Sequence, residues 1–188
     1  MSFLFPAALA LAGLTVIPLL LQAAPPPVCA QEEEKKEEAA AVSTVDALVA
    51  AVRDGAEGSS IRIAAGTYAL DKPLEPKTGM TLKGAGMDRT VITHVPDWKP
   101  PVRTLPDPEM RTKGLDSRAY LIRLRDKARN VTISDLTLLG PQMHGAIFGV
   151  ANENLHLHHL RIRDTLWSGI RTFSMKGAKI HDCAFIDA

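Results

Sequence analysis

The last third of this 188-residue chain repeats itself, and that repeat limits what the chain can fold into more than any other feature. Asn130 to Leu138, Asn154 to Ile162 and Gly177 to Phe185 place their apolar residues in register. These are Val131, Ile133, Leu136 and Leu138; Leu155, Leu157, Leu160 and Ile162; and Ala178, Ile180, Cys183 and Phe185, offset by 24 and then 23 residues (131, 155, 178). In each unit two apolar residues alternate with polar ones, the phase slips at a polar pair, and two more alternate. Period-two alternation is the signature of a strand, so each unit reads as strand, corner, strand. The corner pairs are Ser134-Asp135, His158-His159 and His181-Asp182. Asp and His are among the few non-glycine residues that tolerate a left-handed backbone.

A further apolar strand precedes each unit: Leu121 to Leu124, Ala146 to Val150 and Gly169 to Phe173. Three short strands recurring at this period predict an all-β solenoid whose stacked coils bury one continuous core. The pattern resembles the right-handed parallel β-helix of the pectate lyase-like superfamily, over Ser43 to Ala188. Ala65-Gly66-Thr67-Tyr68 between two strands, followed by Gly84-Ala85-Gly86, is similar to the opening coil of many secreted β-helix proteins. Gly84-Ala85-Gly86 is a corner rather than a dinucleotide loop, because the third glycine and the following helix are missing.

The N-terminus reads as export followed by a spacer. Ala7 to Leu21 is an apolar run interrupted by Gly13 and Pro18, and Val28-Cys29-Ala30 is an acceptable cleavage site, so residues 1–30 are expected to be a signal peptide. The basic residues that usually precede the apolar run are missing. An uncleaved anchor and a lipoprotein at Cys29 are the alternatives. After cleavage only Cys183 remains, at an inward position, so no disulfide framework is expected. Residues 31–42 carry EEEKKEE and read as a solvated linker. The whole chain has a formal charge of +1, which names no partner; the linker holds −3 of it and leaves +4 on the remainder. A secreted or periplasmic protein with no nucleic-acid partner and no stable membrane span after cleavage follows from this reading.

Ser43 to Gly55 predicts a short helix, with Ser43 as cap, Asp46 answering it, and Val45, Leu48, Val49 and Val52 on one stripe. An amphipathic helix just before the first strand is suited to cover the open end of a solenoid. From His94 to Arg118 the period breaks. Pro96, Pro100, Pro101, Pro106 and Pro108 predict an insertion loop over 94–118, since proline cannot join a central ladder. Ala188 falls in mid-repeat with no polar cap behind it, so the expectation is that the domain, 43–188, is cut from a longer protein.

Two surfaces are candidates for chemistry. At the corners, His156, His158 and His181 form an imidazole cluster able to hold a divalent metal, although the same positions select His and Asp for backbone reasons alone. On the strand preceding each unit, Arg123, Arg125, Phe148, Arg171 and Phe173 point outward if Ile122, Leu124, Ile147, Gly149, Ile170 and Thr172 point inward. Loops bring His144, Asp164 and Trp167 to the same rim. In pectate lyase-like enzymes the corresponding face and its loops hold the substrate. The resemblance therefore implies Arg171, His144 and Asp164 as catalytic candidates, and Arg123, Arg125, Phe148, Trp167 and Phe173 as substrate-binding ones. Guanidinium groups suit uronate carboxylates and aromatic rings suit sugar faces.

The function implied is a secreted carbohydrate-active protein acting on an acidic, uronate-containing polysaccharide, by lyase chemistry or, failing that, as a glycoside hydrolase. Calcium is the cofactor the resemblance implies. Neither the paired aspartates of polygalacturonases nor the carboxylate cluster of pectate lyases stands in the sequence. Two other classes stay open: a non-catalytic surface or cell-wall binding scaffold, and a metal-binding periplasmic solenoid.

Overall fold

A computed structural model describes residues 40–98, 120–141 and 143–188, all within the compact unit Glu37–Ala188. The expected signal peptide, nearly all of the charged linker and most of the insertion loop lie outside the described residues.

The chain enters through helix α1 (Val45–Asp54), which buries Leu48 and Val52 against the first coil. Its cap is Thr44 rather than Ser43. Thr44 is extended and its hydroxyl accepts the Ala47 N–H at 3.2 Å, a spacing that Ser43 reaches one residue too early. Gly55 closes the helix at a φ of −54°, so space rather than a left-handed turn selects it: a Cβ there would meet the Ala51 carbonyl at 2.4 Å.

Three ladders of parallel strands follow. On the first face β1 (Ser60–Arg62), β3 (Thr81–Lys83), the first half of β6 (Thr132–Leu139), the first half of β8 (His156–Arg163) and β10 (Lys179–His181) pair in that order. On the second, β2 (Gly66–Leu70), β4 (Thr90–His94), the remaining halves of β6 and β8, and β11 (Ala184–Ile186) do the same. Leu74, β5 (Tyr120–Arg123), β7 (Gly145–Val150) and β9 (Ser168–Phe173) make the third. The fold is thus an all-β solenoid with one capping helix. The proline-rich excursion starts later than its composition suggests, since β4 runs through His94 and the Val95 N–H still bonds the Leu70 carbonyl.

The repeat period is visible in the backbone. Asp135, His159 and Asp182, at φ of 59°, 50° and 52°, turn each coil from the first face to the second. Asn130, Asn154 and Gly177 form a second left-handed ladder, with the Asn154 amide donating to Asn130 Oδ1 at 3.1 Å, and Lys127, Ala151 and Ser174 a third. Inside, side chains stack in columns: Ile61, Leu82, Ile133, Leu157 and Ile180 under the first face; Tyr68, Ile92, Leu138, Ile162 and Phe185 under the second; Leu74, Ile122, Ile147 and Ile170 under the third. Parallel partners lie about 4.8 Å apart, so each methyl meets its counterpart in the next coil and the core is a continuous rod. Cys183 packs partly buried against this core, as its inward position implies. No helix among the described residues is long and apolar enough to cross a membrane.

Candidate functional site

On the third face strict alternation fails at one point. Leu121 and Ile122 are consecutive, both fully buried and both part of the core, and Ala146 and Ile147 repeat this one coil on. Two inward residues in a row move everything before them to the opposite side. Tyr120 therefore shares the outer surface with Arg123, Phe148 and Arg171 instead of entering the core.

Tyr120 is nevertheless fully buried. Its ring packs on Phe148 (centroids 5.0 Å apart) and lies 6.5 Å from His144, which in turn is 6.0 Å from Trp167. Phe148 continues to Phe173 at 6.1 Å, and the Arg171 guanidinium lies 5.3 Å above the Phe173 ring. An aromatic arc thus runs from Trp167 through His144, Tyr120 and Phe148 to Phe173, with Arg123 and Arg171 flanking Phe148 in register. Sandwiching between two rings explains why Phe148 is almost fully covered, whereas an open sugar platform was expected of it. Trp167 and Phe173, at 56% and 44% exposure, keep the open faces.

Gly145 makes this arrangement possible. It pairs with Tyr120 on one side and Ser168 on the other, and a Cβ on it would meet Tyr120 Cε1 at 2.6 Å and the Ser168 carbonyl at 2.3 Å. Gly145→Ala is expected to displace the Tyr120 ring: the near-ultraviolet circular dichroism of the aromatic arc should fall while the far-ultraviolet signal of the solenoid persists.

The polar atoms of the face are poorly satisfied. The Tyr120 hydroxyl, the Ser168 hydroxyl and Arg123 Nε are all shielded from solvent without a well-formed hydrogen bond. Burial pushes the Tyr120 phenol above its ordinary value, against the opposing pull of the Arg171 charge and of contacts to Ser168 and Arg171. At neutral pH it is a proton donor held beside a cation.

The remaining sequence candidates fall into three groups. Arg123 is on the face but tethered, with Nη1 3.1 Å from Glu75 and Nη2 3.6 Å from Asp126, so it is less free to bind a carboxylate than expected. Together with Arg125, Arg53 and Lys72 it lines a cleft of about 390 Å³ between α1 and the first coil, an extension of the face that is basic overall despite Glu75. Asp164 occupies the left-handed corner after β8, 3.8 Å from Arg163, which is its ion-pair partner. The histidines form a separate group on the outside of the corner between the first and second faces. His156 Nε2 lies 2.8 Å from His181 Nε2, and His158 stacks on His181 at 5.3 Å and 5°. Burial, then the neighbouring His156 charge, lowers the His158 pKa from its ordinary value. Calcium takes six to eight oxygen ligands. Among the described residues, Glu75 and Asp126 bring carboxylates to the third face, and both lie against Arg123.

Tyr120 is the residue that sequence reasoning missed. The available signal was the pair of consecutive apolar residues, Leu121-Ile122 and Ala146-Ile147, which marks a phase slip like that at the polar corners.

No family model matches the chain, and no curated protein sequence matches it. Among solved structures, the A-module of the mannuronan C-5 epimerase AlgE6 of Azotobacter vinelandii superimposes on 76% of this chain with a TM-score of 0.54 and 19% identity. The chain is a right-handed parallel β-helix. The AlgE4 A-module of the same organism aligns over the same share at a TM-score of 0.42 and 19% identity. The chain spans 40% and 44% of those two modules. At this identity the likeness establishes the fold, which is the one the pectate lyase-like resemblance implies, and leaves the chemistry to the residues.

Proposed function

We propose that this β-helix acts on a uronate-containing polysaccharide along its third face, by removing the proton on the carbon next to the uronate carboxylate. The carrying observation is the buried Tyr120 phenol beside Ser168 and Arg171, with His144 at the other edge of its ring. Proton removal next to a carboxylate needs a base and a means of neutralising the charge that builds on the carboxylate. His144 takes the first role and Arg171 the second. The electron pair of the C5–H bond then forms a C4–C5 double bond, the C4–O4 bond breaks, and Tyr120 delivers its proton to O4. The same start has a second ending, in which C5 regains a proton from the opposite side and its configuration inverts. The likeness in fold to the A-module of a mannuronan C-5 epimerase supports this reading.

Hydrolysis is less well served, because it needs two carboxylates at set separation, and those described near this face are ion-paired to Arg123. In the cleft, Lys72 and Arg125 would hold flanking uronates, whereas Arg53 is already bonded to Asp54. Export belongs to the same proposal, and N-terminal sequencing of secreted protein should then begin at Gln31.

A second reading, a binding scaffold without catalysis, is favoured by the open rings of Trp167 and Phe173, which form a sugar platform with or without chemistry. Incubation with a panel of polyuronates in deuterated water separates the three outcomes. Unsaturated-uronide absorbance reports elimination, deuterium at C5 in saturated product reports inversion, and glycan binding without either supports the scaffold and rejects the catalytic proposal.

A further inference from the structure

The corner between the first and second faces carries a second constellation, separate from the strands of the third face. Successive coils place Asp135, His159 and Asp182 at left-handed positions, one above the other. Beside them Ser134, His158 and His181 pair in register. Because His159 adopts a φ of 50° where a strand residue would be extended, its ring turns to the same side as that of His158, and the two Nδ1 atoms lie 2.9 Å apart. Asp135 Oδ1 is 3.8 Å from His159 Nδ1, and one ligand atom from each of Asp135, His158 and His159 falls within 4.8 Å of the others.

One atom that does not converge is held by a partner: Ser134 Oγ donates to Asp135 Oδ2 at 2.7 Å, leaving Oδ1 turned to the imidazoles. Asp182 Oδ2 accepts a hydrogen bond from His181 Nδ1 at 2.8 Å and lies 3.8 Å from His159 Nε2, too far to bond it. A donor behind one carboxylate oxygen is a support that fixes a metal ligand in orientation. A backbone requirement for left-handed residues accounts for Asp135, His159 and Asp182, but not for His158 or for the direction in which these side chains point.

We propose that Asp135, His158 and His159 bind one zinc or copper(II) ion through Oδ1 and the two Nδ1 atoms. Two imidazoles and one carboxylate suit these ions and not calcium. Zinc–nitrogen bonds of about 2.0–2.1 Å set tetrahedral ligand atoms roughly 3.3 Å apart, so the imidazole pair, now 2.9 Å apart, needs to open by a few tenths of an ångström and Asp135 Oδ1, now 3.8 Å from His159 Nδ1, to close on it by about half an ångström. His159 is half exposed, which leaves a coordination position to water.

Metal-stripped full-length chain, titrated calorimetrically with Zn²⁺ and separately with Cu²⁺, should bind one ion per chain, and its melting temperature should rise in the presence of that ion. Asp135→Asn and His159→Asn keep residues that tolerate the left-handed corner, so the far-ultraviolet spectrum should not change. Each should weaken binding at least about tenfold, the lower end of what losing even a supporting partner costs. His156→Ala should leave binding nearly intact. The proposal is overturned if stripped protein binds neither ion, if both asparagine variants, folded, bind as tightly as the parent, or if His156→Ala alone abolishes binding, which would move the ion to the His156–His181 pair.

Discussion

On the proposed mechanism, replacing Tyr120 by Phe is expected to leave a folded solenoid whose turnover of polyuronate is lowered by about 10²–10⁴-fold, the usual contribution of a positioned acid or base. The ring is what packs against Phe148 and lies beside His144, and Phe retains it. Only the hydroxyl is lost, and it has no solvent and no well-formed hydrogen bond to lose. The substitution should therefore change stability little or even favourably, because it removes a buried polar atom. Binding of substrate, carried by Arg171 and the exposed rings, should persist. The alkaline limb gives an independent check. Burial raises the Tyr120 pKa, so the phenol stays protonated to higher pH than an exposed tyrosine. If its proton is needed, the alkaline fall in activity should come at higher pH than the ionisation of an exposed tyrosine, and that limb should be missing from any residual activity of the variant. Retained activity in Tyr120→Phe, with the parent's pH profile, would remove Tyr120 from the mechanism.

Leu157→Ala should destabilise the rod by about 2–5 kcal/mol. Leu157 is fully buried in the first-face column, between Ile133 in one coil and Ile180 in the next. A cavity there faces both neighbours, and strands locked by parallel pairing cannot close it. For a domain of this size a loss of about 3 kcal/mol lowers the melting temperature by roughly 6–12 °C. Ile180 provides the control. It belongs to the same column but is 46% exposed, so Ile180→Ala should cost well under half as much. Equal costs at the two positions, measured by thermal or urea melting, would show that the column does not carry the core energy assigned to it.

Particular residues show why some of this was legible in advance. Val131, Leu155 and Ala178 repeat at 24 and 23 residues, and a solenoid requires such a repeat because each coil must present the same inward set to the next. The corner residues Asp135, His159 and Asp182 were legible for a related reason: left-handed backbone restricts residue type, so geometry leaves a mark on composition. The helix cap was placed one residue early because Ser43 and Thr44 offer the same hydroxyl, and only the chain's entry angle chooses between them.

Other features left no such mark. Tyr120 stands at the start of an apolar strand and reads as core, and its outward direction depends on a phase slip between two apolar residues that no polar pair announces. The tether of Arg123 to Glu75 joins residues 48 apart, brought together by the stacking of one coil on another. The convergence of Asp135 and His159 depends on the same stacking. The sequence alone determined the repeat, and with it the coil, the inward columns and the corners, because these are local conditions that every coil must meet with its own residues. Tertiary structure alone decided which outward side chains meet, because those contacts cross between coils and depend on rotations about single residues that alternation does not encode.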